Sequence, residues 1–310
     1  MRNRWIVPVL SSLAVGAGTV AGLVSWRVSY RGRPWPPYAI SPYEVGVDAE
    51  DVSFTASDGI RVAGWWMEDP GAETVVVMAH GHRSRKADLL GIGPKLHLAG
   101  HSVLVFDFRG AGDSSDGPQS LGHYEQRDLD AAINWVASRR PDARIVLYGM
   151  SQGASAAIEV ASRDARVDAL VLDSAYASAL DVVRANLRHA HLPGALLAPL
   201  VELTTRVVFG YSLARLRPVD TIAHVDRPML ILHGTDDHVT PFEHAQRLRR
   251  AARPGLVTFH AFPGADHCGG YFADRPGYVA MVDRFIRRAL GQDSRATRQA
   301  APPSWGSSGQ

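Results

Sequence analysis

The chain has 310 residues, a net charge of +2, 46% hydrophobic and 21% charged residues. These are ordinary proportions for a globular protein long enough for one large domain, and they give no sign of a nucleic-acid surface or strongly acidic partners. A single cysteine, Cys268, excludes an intrachain disulfide without fixing the compartment, and the near-absence of lysine (only Lys86 and Lys95) reads as genome bias.

Residues 6–26 carry no charge. At 1.5 Å per residue such a helix is roughly 30 Å long, the thickness of a bilayer core. Trp5 and Trp26 flank the run, and Arg27, Arg31 and Arg33 follow it. Residues 1–27 are read as a transmembrane signal anchor that puts the protein at the membrane. The other readings are a signal peptide cleaved near Ala21-Gly22, giving a secreted protein, and a buried helix of the soluble domain. Arginines at both ends leave the orientation open. Residues 28–47, with Pro34, Pro36, Pro37 and Pro42, form a stiff linker or an arm over the domain.

The folded domain is placed at residues 48–290. Residues 52–55 and 61–66 make a hairpin around Ser57-Asp58-Gly59. Residues 74–79 (TVVVMA) are continuously apolar, as in a strand covered on both faces, and end in His80-Gly81-His82. A helix is expected over residues 87–99, a buried strand over 102–106 and a helix over 124–138. Strands at 144–148, 167–172 and 229–232, a helix at 242–252, a strand at 256–262 and a closing helix at 278–290 complete the alternation. This pattern predicts an α/β fold: a mainly parallel central sheet flanked by helices. Residues 181–209 interrupt it. They are apolar, but Pro193, Pro199, Glu202 and Arg206 argue against a second transmembrane helix. A small helical cap at about 178–212 is expected, with a membrane-contacting helix or plain core helix as alternatives. Residues 291–310 read as a disordered tail.

The chemistry centres on Gly149-Met150-Ser151-Gln152-Gly153, between a predicted strand and a predicted helix. Gly-x-Ser-x-Gly there reads as a tight turn that lifts a serine above the sheet. Chance alone produces the pattern roughly one time in ten in such a chain, so the base, acid and oxyanion donors must be found elsewhere. A serine hydroxyl needs a histidine to take its proton and a carboxylate to orient that histidine. Functional groups of parallel sheets gather beyond the carboxyl ends of strands. Asp236 and Asp237 follow one such strand, and His267 follows the last. Their order, Ser, Asp, His, is the one described for α/β-hydrolases.

At these residues the chain resembles the α/β-hydrolase superfamily over about residues 50–290. His233, Gly234, Asp237 and Pro241 match the family's acid segment, which singles out Asp237 over Asp236. His267 with Gly264 matches its late histidine element, and Asp107, Arg109, Gly110, Gly112 and Ser114 match its Asp-x-Arg-Gly-x-Gly-x-Ser segment. Within the superfamily it looks most like bacterial membrane-anchored serine hydrolases of the serine-aminopeptidase and prolyl-oligopeptidase-like groups. The resemblance implies catalysis by Ser151, Asp237 and His267, with an oxyanion hole from the Gln152 and His82 amides.

Competing readings are kept beside these. Asp237 could cap the next helix, and His260 and His238 are rivals of His267. His80 and His233 read as structural, His189 and His191 as solvated. Asp107 and Arg109 read as an ion pair pinning their loop, and Cys268 has no tight turn to make it a nucleophile. The histidines lack the spacing of a zinc site, and no cofactor is called for. The expected reaction is hydrolysis of a small or medium acyl ester or thioester, a small-molecule substrate. Peptidase activity is the alternative, and a catalytically inactive, membrane-tethered binding protein is the alternative of another class. No cationic or anionic specificity pocket can be read, and the oligomeric state is open.

Overall fold

The computed structural model describes residues 6–29 and 36–292, with side chains from residue 14 onward. The predicted linker residues 30–35 and tail residues 293–310 lie outside it. The strands are β1 (Glu50–Thr55), β2 (Arg61–Met67), β3 (Thr74–Ala79), β4 (Ser102–Phe106), β5 (Arg144–Met150), β6 (Val167–Asp173), β7 (Met229–Gly234) and β8 (Val257–Phe262). The α-helices are α1 (Ile6–Ser29), α2 (Gly93–Leu98), α3 (Glu125–Arg139), α4 (Gln152–Ala161), α5 (Ala179–His189), α6 (Gly194–Val208), α7 (Pro218–Thr221), α8 (Glu243–Ala251), α9 (Gly270–Ala273) and α10 (Arg275–Ala289).

All eight strands form one sheet in the order β1-β2-β4-β3-β5-β6-β7-β8. The β1–β2 hairpin runs antiparallel and joins β4 antiparallel, while every pairing from β4 to β8 is parallel. Strand alternation sorts the TVVVMA run between two cores. Val75, Val77 and Ala79 pack with Leu129, Ile133 and Val136 of α3 and with the alanines of α4. Val76 and Met78 face the other way, toward Leu96 of α2 and Val282 and Ile286 of α10. Fully burying each of those α10 side chains stabilises by about 1.5–3 kcal/mol. The run is continuously apolar because both faces are covered.

The interruption between β6 and β7 is a helical pair, α5 and α6. Ser178 caps α5 by accepting from the Asp181 amide, and Arg188 and His189 fill its last turn, as the helix dipole favours. His189 and His191 are exposed, as expected. The pair forms a third cluster with Tyr176, Tyr211 and Leu213, and α1 joins it. Ala21 of α1 is buried there. Ser25 Oγ donates to Val201 O at 3.2 Å, and Ser29 Oγ lies 2.8 Å from the Tyr211 hydroxyl. α1 thus extends two residues into the stretch expected as linker, and it lies against α6. Among the described residues no single helix is long and apolar enough to cross a membrane.

The chain after the undescribed gap lies over the domain as an arm. The Tyr38 hydroxyl donates to Asp107 Oδ1 at 2.7 Å, Arg85 Nη1 donates to Pro36 O at 2.8 Å, and Val47 is buried in the core.

Candidate active site

Ser151 stands between β5 and α4 with φ 52° and ψ −114°, outside the regions a side chain favours. Holding a non-glycine residue there costs about 1–3 kcal/mol, which the surroundings must supply. The Ser151 amide donates to Asp173 O at 2.7 Å, tying the turn to the end of β6. Gly149 and Gly153 make the turn possible. A Cβ on Gly149 would strike the Ala154 backbone, and one on Gly153 would strike the Ala79 carbonyl, both closer than real contacts allow. Beneath the turn, Asp173 accepts from the Ser174 hydroxyl at 2.9 Å and the Tyr278 hydroxyl at 2.6 Å, and the Tyr148 hydroxyl meets Tyr278 at 2.6 Å. Burial pushes the Asp173 carboxyl up, and these hydroxyls partly offset it. The sequence marked Asp173-Ser174 only as the end of a strand. Its polarity after an apolar run was the available signal.

Three of the singled-out residues converge. His267 Nε2 lies 2.9 Å from Ser151 Oγ, and His267 Nδ1 lies 2.7 Å from Asp237 Oδ2. The carboxylate fixes the proton on Nδ1, so the Nε2 lone pair faces the serine hydroxyl. Asp237 is buried. Its Oδ1 accepts from the Val239 and Thr240 amides at 2.9 and 2.6 Å, and its Oδ2 also lies 3.2 Å from His233 Nε2. Burial opposes its charge, but the hydrogen bonds from His233 and His267 outweigh it and hold the carboxyl well below the usual range. His233, expected to be structural, also donates from Nε2 to Thr240 O at 2.8 Å and so braces the acid's loop.

The rivals lie elsewhere. Asp236 is exposed and accepts from the Thr235 hydroxyl at 3.0 Å. Asp237 does not cap a helix, because α8 begins only at Glu243 behind Phe242. His238 is exposed beside Asp266, and His260 meets the Phe262 ring edge-to-face within β8. Asp266 also accepts from the His267 amide at 2.7 Å, which orients the histidine's loop. His80 is buried, accepts from the Phe108 amide on Nε2 at 2.9 Å and donates from Nδ1 to Gly81 O at 2.7 Å, which suits the structural role expected of it. Burial pushes the Cys268 thiol up, and its amide donates to Ser174 Oγ at 3.0 Å.

The two expected oxyanion donors flank the serine. Gln152 opens α4, so its amide has no acceptor inside the helix and sits at the positive end of the dipole. His82 lies on the loop after β3, where Gly81 packs against Ser151. The His82 ring reaches Gln152 Oε1 at 3.2 Å. The Gln152 side chain therefore pins one donor loop to the other, a role sequence reasoning missed.

One expectation fails. Asp107 and Arg109 do not pair with each other. Asp107 takes Lys86 Nζ at 2.8 Å, the Lys86 and Asp113 amides at 2.8 and 2.9 Å, and Tyr38. Arg109 binds Asp58 and Asp128, each at 2.7 Å. Both side chains are buried and each needs a partner in contact. The partners come from other elements, which local spacing does not reveal.

A cavity of about 570 Å³ opens beside Ser151 and His267. Its walls are mainly apolar: Val183, Leu187 and Leu192 from the α5–α6 pair, Leu121, and Val24 and Val28 from α1.

The sheet order, the strained serine turn and the chain order Ser, Asp, His define an α/β hydrolase. Residues 74–193 match the family described as alpha/beta hydrolase fold. The Escherichia coli (strain K12) protein YfhR, itself uncharacterized, is 32% identical over 258 residues, covering 78% of this chain and 82% of that one. The chain therefore belongs to the alpha/beta hydrolase superfamily. The uncharacterized protein Rv2307c of Mycobacterium tuberculosis (strain H37Rv) is 28% identical over 297 residues, with 92% of this chain and 97% of that one covered. The Pyrococcus furiosus esterase Pf2001 superposes with a TM-score of 0.70 at 23% identity, over 83% of this chain and 97% of that one, a likeness of fold.

Proposed function

We propose that this hydrolase cleaves carboxylic esters or thioesters through an acyl-enzyme on Ser151. The observation that carries the reading is the line Asp237–His267–Ser151, with its 2.7 and 2.9 Å links, opening into an apolar cavity. Ser151 Oγ attacks the carbonyl carbon while His267 Nε2 takes its proton. The Gln152 and His82 amides hold the oxyanion, and Asp237 stabilises the imidazolium. The tetrahedral adduct collapses as His267 returns the proton to the leaving alcohol or thiol. Water, deprotonated by His267, then attacks the acyl-enzyme and releases the acid and Ser151. Among similar folds, the esterases of Pyrococcus furiosus and Rhodothermus marinus support ester chemistry. The apolar wall favours an acyl chain over a peptide.

The N-terminal segment belongs to the proposal as a membrane association of the domain. Burial of Ala21 against the α5–α6 pair favours its retention over removal by a signal peptidase. The proposal includes no nucleic-acid partner.

A fluorophosphonate probe and a series of p-nitrophenyl esters test the reaction. Wild-type protein is expected to be labelled at Ser151 and Ser151→Ala to lose both labelling and turnover. An unlabelled, folded wild-type protein defeats the proposal. A mature N-terminus near residue 23 would defeat retention of the segment.

A further inference from the structure

The cavity beside Ser151 is apolar in its depth but charged at its rim. Arg27, in the last turn of α1, and Arg83, immediately after His82, both line it and are both exposed. No aspartate or glutamate lines it. Among the described residues neither arginine has an ion pair. Some surface arginines elsewhere do, Arg139, Arg144, Arg163 and Arg166 meeting a carboxylate at 2.7, 2.7, 2.8 and 2.6 Å, and others such as Arg206 and Arg215 do not; what sets Arg27 and Arg83 apart is that they share one cavity with Ser151. The two rim arginines feel one another, since burial and then the Arg27 charge pull the Arg83 pKa down. Arg83 also adopts φ 58°, the left-handed region that an arginine enters at a cost. The loop thus brings a strained cation to the same cavity as a second one, and among the described residues that cavity has no acidic lining.

We propose that Arg27 and Arg83 form an anion site, and that the substrate is a single-chain acyl ester whose alcohol half carries a phosphate group. The proposal rests on the ester-hydrolase reading above. A phosphate monoester carries about −1.5 to −2 charge and matches two guanidiniums. The acyl chain fills the apolar depth, where a charge would be desolvated without a partner. The charged half of the ester therefore stays at the rim, where it leaves with the alcohol. α1 supplies both Arg27 and part of the acyl wall, so the N-terminal helix is a component of the substrate site.

The test uses the full chain and compares kcat/KM for 1-octanoylglycerol 3-phosphate and 1-octanoylglycerol. The ratio cancels any general damage to the catalytic groups. Wild-type protein is expected to favour the phosphate ester by about tenfold or more, and the Arg27→Gln/Arg83→Gln double variant to fall to about parity. The preference should also shrink from about 0.05 to 0.5 M salt, because the rim charges are exposed. A wild-type ratio near one, or a preference that survives the double substitution, overturns the proposal. Failure of the ester reading shows itself differently, as no turnover of either ester. Calorimetric binding of octyl phosphate to Ser151→Ala then still reports on the arginines. Adding both substitutions should weaken it by about tenfold or more, and unchanged affinity overturns the anion site.

Discussion

Replacing Asp237 by Asn isolates the part of the site that sets the histidine tautomer. Oδ1 of Asp237 faces two backbone amides, at 2.9 and 2.6 Å, so the asparagine carbonyl must take that position. The new NH2 then points at His267 Nδ1, where a carboxylate oxygen had stood 2.7 Å away. His267 must present a lone pair on Nδ1 and carry its proton on Nε2, against the serine hydroxyl it should deprotonate. The same NH2 also meets the Nε2–H of His233, which is left with Thr240 O as its acceptor. A tautomer error of this kind costs about 10⁴ in kcat, or about 5 kcal/mol of transition-state stabilisation, with the fold retained. Asp236→Asn alters only an exposed contact to Thr235 and should stay within about threefold of wild type. The assay is kcat/KM on a p-nitrophenyl ester, beside thermal melts to show that both variants fold. An Asp237→Asn enzyme within tenfold of wild type, or a larger loss in Asp236→Asn, would refute the assignment of the acid.

Three further outcomes follow from the packing. His244 is buried and accepts from the Ala177 amide at 3.0 Å, and burial, then Arg247, push its pKa from 6.5 down to about 4. Between those values the unfolded chain binds the proton that the folded one refuses, so stability is full above pH 6.5 and falls toward pH 4 by about 3 kcal/mol. His244→Asn should flatten the Tm-versus-pH slope in that window, and an unchanged slope would place the acid sensitivity elsewhere. Lys86 is buried against Asp107 and lies over the Tyr38 and Trp65 rings, so Lys86→Ala leaves an unpaired buried carboxylate and should cost about 3–5 kcal/mol in urea unfolding. A loss below about 1 kcal/mol contradicts that account. Val183→Trp should shift the preferred ester toward short acyl chains by filling the cavity, with turnover of acetyl esters changed far less than of octanoyl esters. Equal losses for both lengths would mean that the chain binds elsewhere.

Much of the site was legible in sequence because its geometry is enforced locally. Gly149 and Gly153 are demanded by contacts within a single strand–turn–helix unit, and a serine between them has one place to go. Asp237 and His267 were placed by the general behaviour of parallel sheets, whose strand ends collect on one edge. The preference for Asp237 over Asp236 came from family spacing. The structure shows its physical basis, since one carboxylate is buried among four donors and the other is exposed.

What failed or stayed invisible depends on partners distant in the chain. Asp107 and Arg109 looked like a pair because they are neighbours, but burial assigned each a partner from another element. The uncharged run at residues 6–26 was read from hydropathy as a membrane anchor, and its contacts with α6 and its place in the cavity wall, invisible to hydropathy, leave that reading neither supported nor excluded. Arg27 looked like a flank of that segment, and Arg83 like a loop residue, so no charged pocket could be read from either.

The sequence by itself determined the alternation of strands and helices, the strained serine turn and the order of the candidate catalytic groups. Each of these follows from periodicity, from glycine's missing side chain and from the chirality of parallel crossovers. Only the tertiary structure decided what surrounds Ser151: the helical pair above it, the α1 wall and the two guanidiniums at its rim. Those features arise where segments tens of residues apart, and for α1 and α6 more than a hundred, come into contact, and pairwise contact at that range leaves no periodic trace in the chain.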